Sequence, residues 1–273
     1  MERNPLGSFL RARRELVRPE DVGLRGGGLR RVPGLRREEV ALLAGISSDY
    51  YLRLEQGRDR HPSVQVLDAL ADVLQLDADA RAYLRELTRE RSRREGTARR
   101  EQVPVSMVQL IDGWAANPAY VQNRLTDVLA VNSLMAAISP SYTPGVNLLR
   151  AVVLDPAERE LRRDWEESVE EGVASLRAHV GAEVDDPRLV ELVDELSAKS
   201  ELFRRLWAEH VVRPKRGRVS RLRHPVVGDL ELTSTKLVVS GDEDLILVVF
   251  HAEAGSRSAE LLGSLGSLRT PTR

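Results

Sequence analysis

Between residues 35 and 58 the apolar positions fall into two short helical registers with a glycine between them. In LRREEVALLAG, Val40 and Leu43 share one face and Ala41 is small enough for a neighbouring helix to approach. That spacing predicts a helix over Leu35–Ala44. Gly45 stands where a tight inter-helix turn needs positive φ, which glycine reaches at no steric cost. Ile46 packs back, and Ser47 suits an N-cap. A second helix is predicted over Ser48–Gln56, stopping at Gly57 as a C′ glycine. Tyr51 and Leu54 are its inward positions, and Ser48, Asp49, Tyr50 and Arg53 its outward ones. Helical patterns flank the pair. They cover Leu6–Val17, Ser63–Leu74 (Leu67, Leu70, Ala71 and Leu74 on one face) and Asp77–Arg89 (Tyr83, Leu84 and Leu87 inward).

The second half alternates types. AYVQNRLTDVLAVN (119–132) sets two apolar runs around a polar stretch and predicts a hairpin. Three helices follow: Ala157–Val180 (Leu161, Trp165, Val169, Val173 and Leu176 on one face), Pro187–Ala198 and Glu201–His210. The period then changes to strands over 219–240 and 244–252, with turns at Gly228–Asp229 and Gly241–Asp242, before a last helix at Ser256–Leu265. Antiparallel strands with helices grouped to one side predict an α+β domain.

Two joints punctuate the chain. Residues 18–34 carry Gly26, Gly27 and Gly28 among Arg25, Arg30 and Arg31, which suits either a basic arm that touches nucleic acid or a solvated loop. Residues 88–104 are charged and poor in apolar residues. The expected organisation is therefore a domain over 1–95, a linker over 96–103 and a domain over 104–273.

Composition narrows the classes. The 273 residues contain no cysteine, which excludes disulfides and thiolate chemistry and suits a reducing cytoplasm. No apolar run approaches the roughly 20 residues needed to span a bilayer, and the N-terminus has no signal-peptide core. Formal net charge is −1 but unevenly shared: residues 1–100 hold 21 Arg against 16 acidic residues, a net of +5, leaving −6 for the rest. A basic half joined to an acidic half points to a nucleic-acid face on one part only. The five histidines show no metal-ligand spacing, and there is no G-x-S-x-G and no Walker-type loop. Glu166, Glu167, Glu170 and Glu171 read as a solvated helix face, not as catalytic carboxylates. The expectation is a protein that is not an enzyme and needs no cofactor.

Residues 6–90 resemble the XRE-type (lambda repressor/Cro-like) helix-turn-helix regulators, carried by the turn glycine, the apolar spacing, the stop at Gly57 and the helix after it. The resemblance implies an N-terminal all-α, five-helix, lambda-repressor-like domain whose second motif helix enters the DNA major groove. On that reading Ser47, Ser48, Asp49, Tyr50 and Arg53 line the recognition helix. Arg53 offers a bidentate fork to guanine, with a phosphate or solvent contact as the alternative. Asp49 either accepts from a cytosine or orients Arg53. Arg37, Arg58 and Arg60 are candidate phosphate contacts. Arg14 and Glu55 match a pair bridged across the fold in that family. A single such domain makes few contacts, so a homodimer on a palindromic double-stranded operator is expected.

The stretches TDVLAVN, DWEESVEEGVASLRAHVG, SELFRRLWAEHVV and HPVVGDLEL resemble the MmyB-like ligand-binding domain. The resemblance implies a PAS-like α+β domain that senses a small molecule or lipid, such as a fatty-acid-like effector. Trp114, Tyr120, Asn132, Phe203, Trp207 and His210 are the candidate pocket residues, although Phe203 and Trp207 at i, i+4 equally suit a core. An antitoxin-like or protein-interaction regulator without a small-molecule ligand is the alternative.

Overall fold

The structure is a computed structural model that describes residues 4–24, 34–59, 61–88, 102–180, 186–209, 219–239 and 242–267. The chain divides into two compact units. One comprises Met1–Glu95, Val180–Asp194 and Arg204–Pro214, and the other Gly96–His179, Glu195–Phe203 and Lys215–Arg273. The Gly/Arg-rich joint at 25–33 and most of the predicted linker lie outside the described residues.

In the first unit the chain runs α1 (Pro5–Leu16), α2 (Arg37–Leu43), α3 (Ser48–Glu55), α4 (Val64–Val73) and α5 (Ala78–Glu86). Asn4, Ser47, Ser63 and Asp77 cap α1, α3, α4 and α5 by accepting from the amides of Gly7, Tyr50, Val66 and Ala80. Phe9, Leu10, Leu35, Val40, Tyr51, Leu54, Leu70 and Leu84 make one dry core. Phe9 meets Tyr83 edge-on at 5.2 Å. The backbones of α1 and α3 nearly touch, since a Cβ on Gly7 would lie 2.1 Å from the Glu55 carbonyl oxygen. Leu43 departs from the predicted inward face and is 38% exposed. Val40 and Ala41 form the contact of this short helix, and Leu43 lies roughly 110° around the axis from their midpoint.

The second unit is built on a five-stranded antiparallel sheet in the order β2-β1-β5-β4-β3. Its strands are β1 (Ala119–Gln122), β2 (Val128–Val131), β3 (Val219–His224), β4 (Gly228–Val239) and β5 (Asp242–His251). The predicted hairpin is there, with Tyr120 opposite Val131. β5 lies between β1 and β4, and its apolar run LILVVF is buried on both faces. Leu245 and Leu247 face Ile111 of α6 (Val105–Asp112) with Ala119, Val121 and Ala130. Ile246, Val248 and Phe250 face the other way, toward α7 (Ser133–Ile138) and the last helix, α13 (Arg257–Ser267). Helices therefore pack on both faces, where one-sided grouping was expected; the two-sided burial of β5 requires it. α8 (Leu148–Leu154) and α9 (Pro156–Leu161) add Leu148 and Leu161 to that second core.

The single helix predicted over 157–180 is two, α9 and α10 (Trp165–Val180). Arg162 turns extended and bridges to Leu222, and the Arg163 amide donates to the Arg221 carbonyl at 3.0 Å. The edge of β3 thus takes the backbone bonds that a continuous helix would have made. The turn predicted at Gly228–Asp229 sits earlier, at 225–227, because Pro225 cannot continue a ladder; Gly228 opens β4 with φ 86°. α11 (Pro187–Lys199) and α12 (Glu201–Ala208) match their predicted spans closely.

Candidate nucleic-acid interface and sensor interior

The geometry of the interface begins at the turn. Gly45 takes φ 67°, and the Ile46 amide donates to the Ala41 carbonyl at 3.0 Å, closing α2 and aiming the chain into α3. The Ser47 hydroxyl accepts from the Tyr50 amide at 3.1 Å, so Ser47 acts as a cap. With Tyr51 and Leu54 fully buried, the opposite side of α3 presents Ser48, Asp49 and Arg53 to solvent. The Asp49 carboxylate pairs with the Arg53 guanidinium, which also lies 5.5 Å from the centroid of the Tyr50 ring. Burial and then Asp59 push the Tyr50 phenol above its ordinary value, so it stays protonated and able to donate.

Beneath this face Glu55 ties three helices together. Its carboxylate accepts from Arg14 Nε on α1 at 2.7 Å and from Arg37 Nε on α2 at 2.6 Å, with its side chain only 2% exposed. Burial alone would raise the Glu55 carboxyl, but the bonds from Arg14 and Arg37 outweigh it and hold the group below the usual carboxylate range. Arg14 Nη1 also donates to the Leu35 carbonyl at 2.9 Å, which fixes the entry of α2. The Arg14–Glu55 pair expected from the sequence is present, and Arg37 joins it. Arg37 therefore has its Nε committed to Glu55 while its side chain stays 42% exposed. Asn4 is a further member that sequence reasoning missed: its Nδ2 donates to the Glu55 carbonyl at 2.9 Å. Arg58 is exposed just beyond α3, and its amide donates to the Arg53 carbonyl at 2.9 Å. Arg60 lies outside the described residues. Arg58→Ala is expected to lower the slope of log K against log salt by about 0.9 per half-site. An unchanged slope removes Arg58 from the interface.

The predicted pocket residues are divided between the units, with Trp114, Tyr120, Asn132 and Phe203 in the second and Trp207 in the first. Trp114 packs among the α6 face residues, whereas Tyr120 lies in the opposite core, 5.1 Å from Tyr142 and 6.4 Å from Phe250 between ring centroids. Asn132 caps α7 and is buried: its Oδ1 accepts from the amides of Ala119 and Met135, and its Nδ2 donates to the carbonyls of Ile111 and Asn117. Its amide is thus committed to backbone. On α12 Phe203 is fully buried and Trp207 half-buried, while His210 lies outside the described residues.

Beside Tyr120 sits a buried polar cluster that the sequence reading missed. Arg162 Nη2 donates to Glu158 Oε2 at 2.7 Å and to the Tyr142 hydroxyl at 3.3 Å, and Ser139 Oγ donates to the other Glu158 oxygen. Burial pushes both Tyr120 and Tyr142 above the ordinary phenol range, aided by Tyr142 at the first and by Glu158 at the second and opposed at both by Arg162, so both stay neutral. Burial opposes the charge on Arg162, but Tyr142 and Glu158 outweigh it and keep the guanidinium protonated. The only sequence signal was Glu158 and Arg162 at i, i+4, indistinguishable from a solvated ion pair. Among the described residues no group of His, Asp and Glu is arranged to hold a metal ion, and no helix is long and apolar enough to cross a membrane.

A helix-turn-helix domain model matches residues 5–84. The model of the MmyB-like transcription regulator ligand binding domain matches residues 103–265, more than half of the chain. No curated protein matches it. An α+β unit bearing a ligand-binding domain, together with an all-α helix-turn-helix, makes this a DNA-binding transcription regulator. The chain belongs to the MmyB-like transcription regulator ligand binding domain family. The families matched are a DNA-binding one and a regulatory ligand-binding one.

Proposed function

We propose that this regulator reads a short palindromic operator as a cytoplasmic homodimer, and that a small apolar effector changes its affinity for DNA. Residues 1–95 form the reading domain and 104–273 the sensing domain, joined by 96–103. The observation that carries this reading is the face of α3, where Ser48 and Asp49 stand exposed and Arg53 half-exposed on a helix whose other side is locked into the core by Tyr51, Leu54 and Glu55. A rigid helix with an exposed Arg is suited to the major groove, and a pair of them one helical turn apart supplies the contacts that one lacks. The cluster of Tyr142, Arg162 and Glu158 beside the apolar ring of Tyr120 supports an effector with an apolar body and a polar head, fatty-acid-like in character. Such an effector acts only by binding the DNA-competent and incompetent states unequally.

Arg53→Ala is expected to relax the preference at one base pair per half-site by about 1–3 kcal/mol. Fluorescence anisotropy with operator and random duplexes checks this. Equal losses on both would make Arg53 a phosphate contact only. For the sensor, mass spectrometry of the denatured protein should release a stoichiometric apolar compound that shifts operator affinity when titrated back. A released compound with no effect on operator affinity would contradict the effector role.

A further inference from the structure

The reading face of α3 carries a carboxylate that DNA affinity does not call for. The Asp49 side chain is 75% exposed, stands four residues before Arg53 and pairs with its guanidinium. The ring of Tyr50 lies against the same guanidinium, its centroid 5.5 Å from Arg53 Cζ. Arg53 is therefore held from two sides, by an acceptor at one nitrogen and by an aromatic ring.

An exposed i, i+4 pair adds little to helix stability. A carboxylate that faces a polyanion opposes binding. A carboxylate in the first turn of α3 also favours the helix dipole, but that term is small and needs no partner, whereas the pairing of Asp49 with Arg53 sets an orientation. A guanidinium free to swing serves a phosphate as well as a base edge. One whose Nη1 is engaged and whose rotation is limited by a ring presents its remaining N–H groups in a fixed direction. A guanine contact through O6 and N7 needs two N–H groups so presented.

We infer that Asp49 is a positioning residue for Arg53. It holds Arg53 as a reader of one base pair and discourages the phosphate-bound alternative, so that affinity for all DNA falls while preference for the operator rises. The inference rests on the assignment of Arg53 as a base contact. It adds that Asp49 makes that contact selective without touching a base itself.

The test uses the full chain and an operator selected from random duplexes. The base pair that Arg53→Ala relaxes is replaced by each of the other three, and a random duplex serves as reference. Asp49→Asn keeps the size of the side chain and removes its charge. It should tighten binding to the random duplex several-fold and cut the preference at the Arg53 base pair about tenfold. In the Arg53→Ala background the same change should alter no base preference. If Arg53→Ala relaxes a position and Asp49→Asn leaves it intact, Arg53 orients itself and the inference is overturned. If Asp49→Asn changes preference equally in the Arg53→Ala background, Asp49 reads its own base, and the inference again falls. If Arg53→Ala relaxes no position, the base-contact assignment fails first and takes this inference with it.

Discussion

Glu55→Ala is expected to destabilise the first unit by about 3–5 kcal/mol, because it takes the close counter-ion from a buried charge. Arg14 is 6% exposed at its side chain and has the Glu55 carboxylate as its counter-ion at 2.7 Å. What remains, a bond to the neutral Leu35 carbonyl and a longer 3.8 Å contact with the half-exposed Glu15 carboxylate, compensates it only weakly. The same substitution frees Arg37 and removes the polar link among α1, α2 and α3. Urea unfolding by circular dichroism, with hydrogen exchange at α1 and α3, measures the loss. A change below about 1 kcal/mol would reduce Glu55 to an ordinary surface carboxylate. The pH dependence has a definite sign. The folded Glu55 carboxyl lies below its unfolded value. Its contribution is therefore present above the unfolded pKa of about 4.3 and is lost as pH falls through the lower folded value. Glu55→Gln should flatten that acid-side slope while leaving the reading face exposed as before.

Asn132→Ala is expected to cost the second unit about 3 kcal/mol or more. Asn132 is 1% exposed and joins the end of β2, the start of α7, the end of α6 and the loop before β1. Removing its amide leaves the Ala119 and Met135 amides and the Asn117 carbonyl to find other partners, while the Ile111 carbonyl keeps the Trp114 amide at 3.1 Å. Each orphaned buried group costs about 1–3 kcal/mol. Unfolding followed by the fluorescence of Trp114 and Trp165, which lie in this unit, reads the change. A loss below about 1 kcal/mol would mean that water takes over the bonds of the side chain.

What was legible from sequence follows from what each signal encodes. The first unit was readable because caps, turn glycine and apolar spacing are local: Ser47, Gly45, Tyr51 and Leu54 each announce a role within one helix turn. The hairpin and the order of strands and later helices were readable for the same reason. The break at Arg162 was not, because a partner 60 residues away, Leu222, supplies the competing bond. α6, α7 and α8 were not read as helices either. Each spans eight residues or fewer, too short for a 3.6-residue period to stand out from a plain apolar run. Glu158 and Arg162 look like surface charges until the sheet covers them. Asn132 looked like a polar group for a ligand because nothing local shows that five backbone groups converge on it. The α3 face was legible as a set of outward positions, with Asp49 and Arg53 one helix turn apart, but the pairing of Arg37 with Glu55 needed three-dimensional placement.

Selection of binding sites by the full chain from random duplex DNA, read by sequencing, decides whether α3 reads an operator. The account predicts an enriched motif of two inverted half-sites about 34 Å apart, one helical turn of DNA. It also predicts that Arg53→Ala abolishes the preference at one position in each half. Recovery of unenriched sequence, with uniform salt-dependent binding to every duplex, would contradict it.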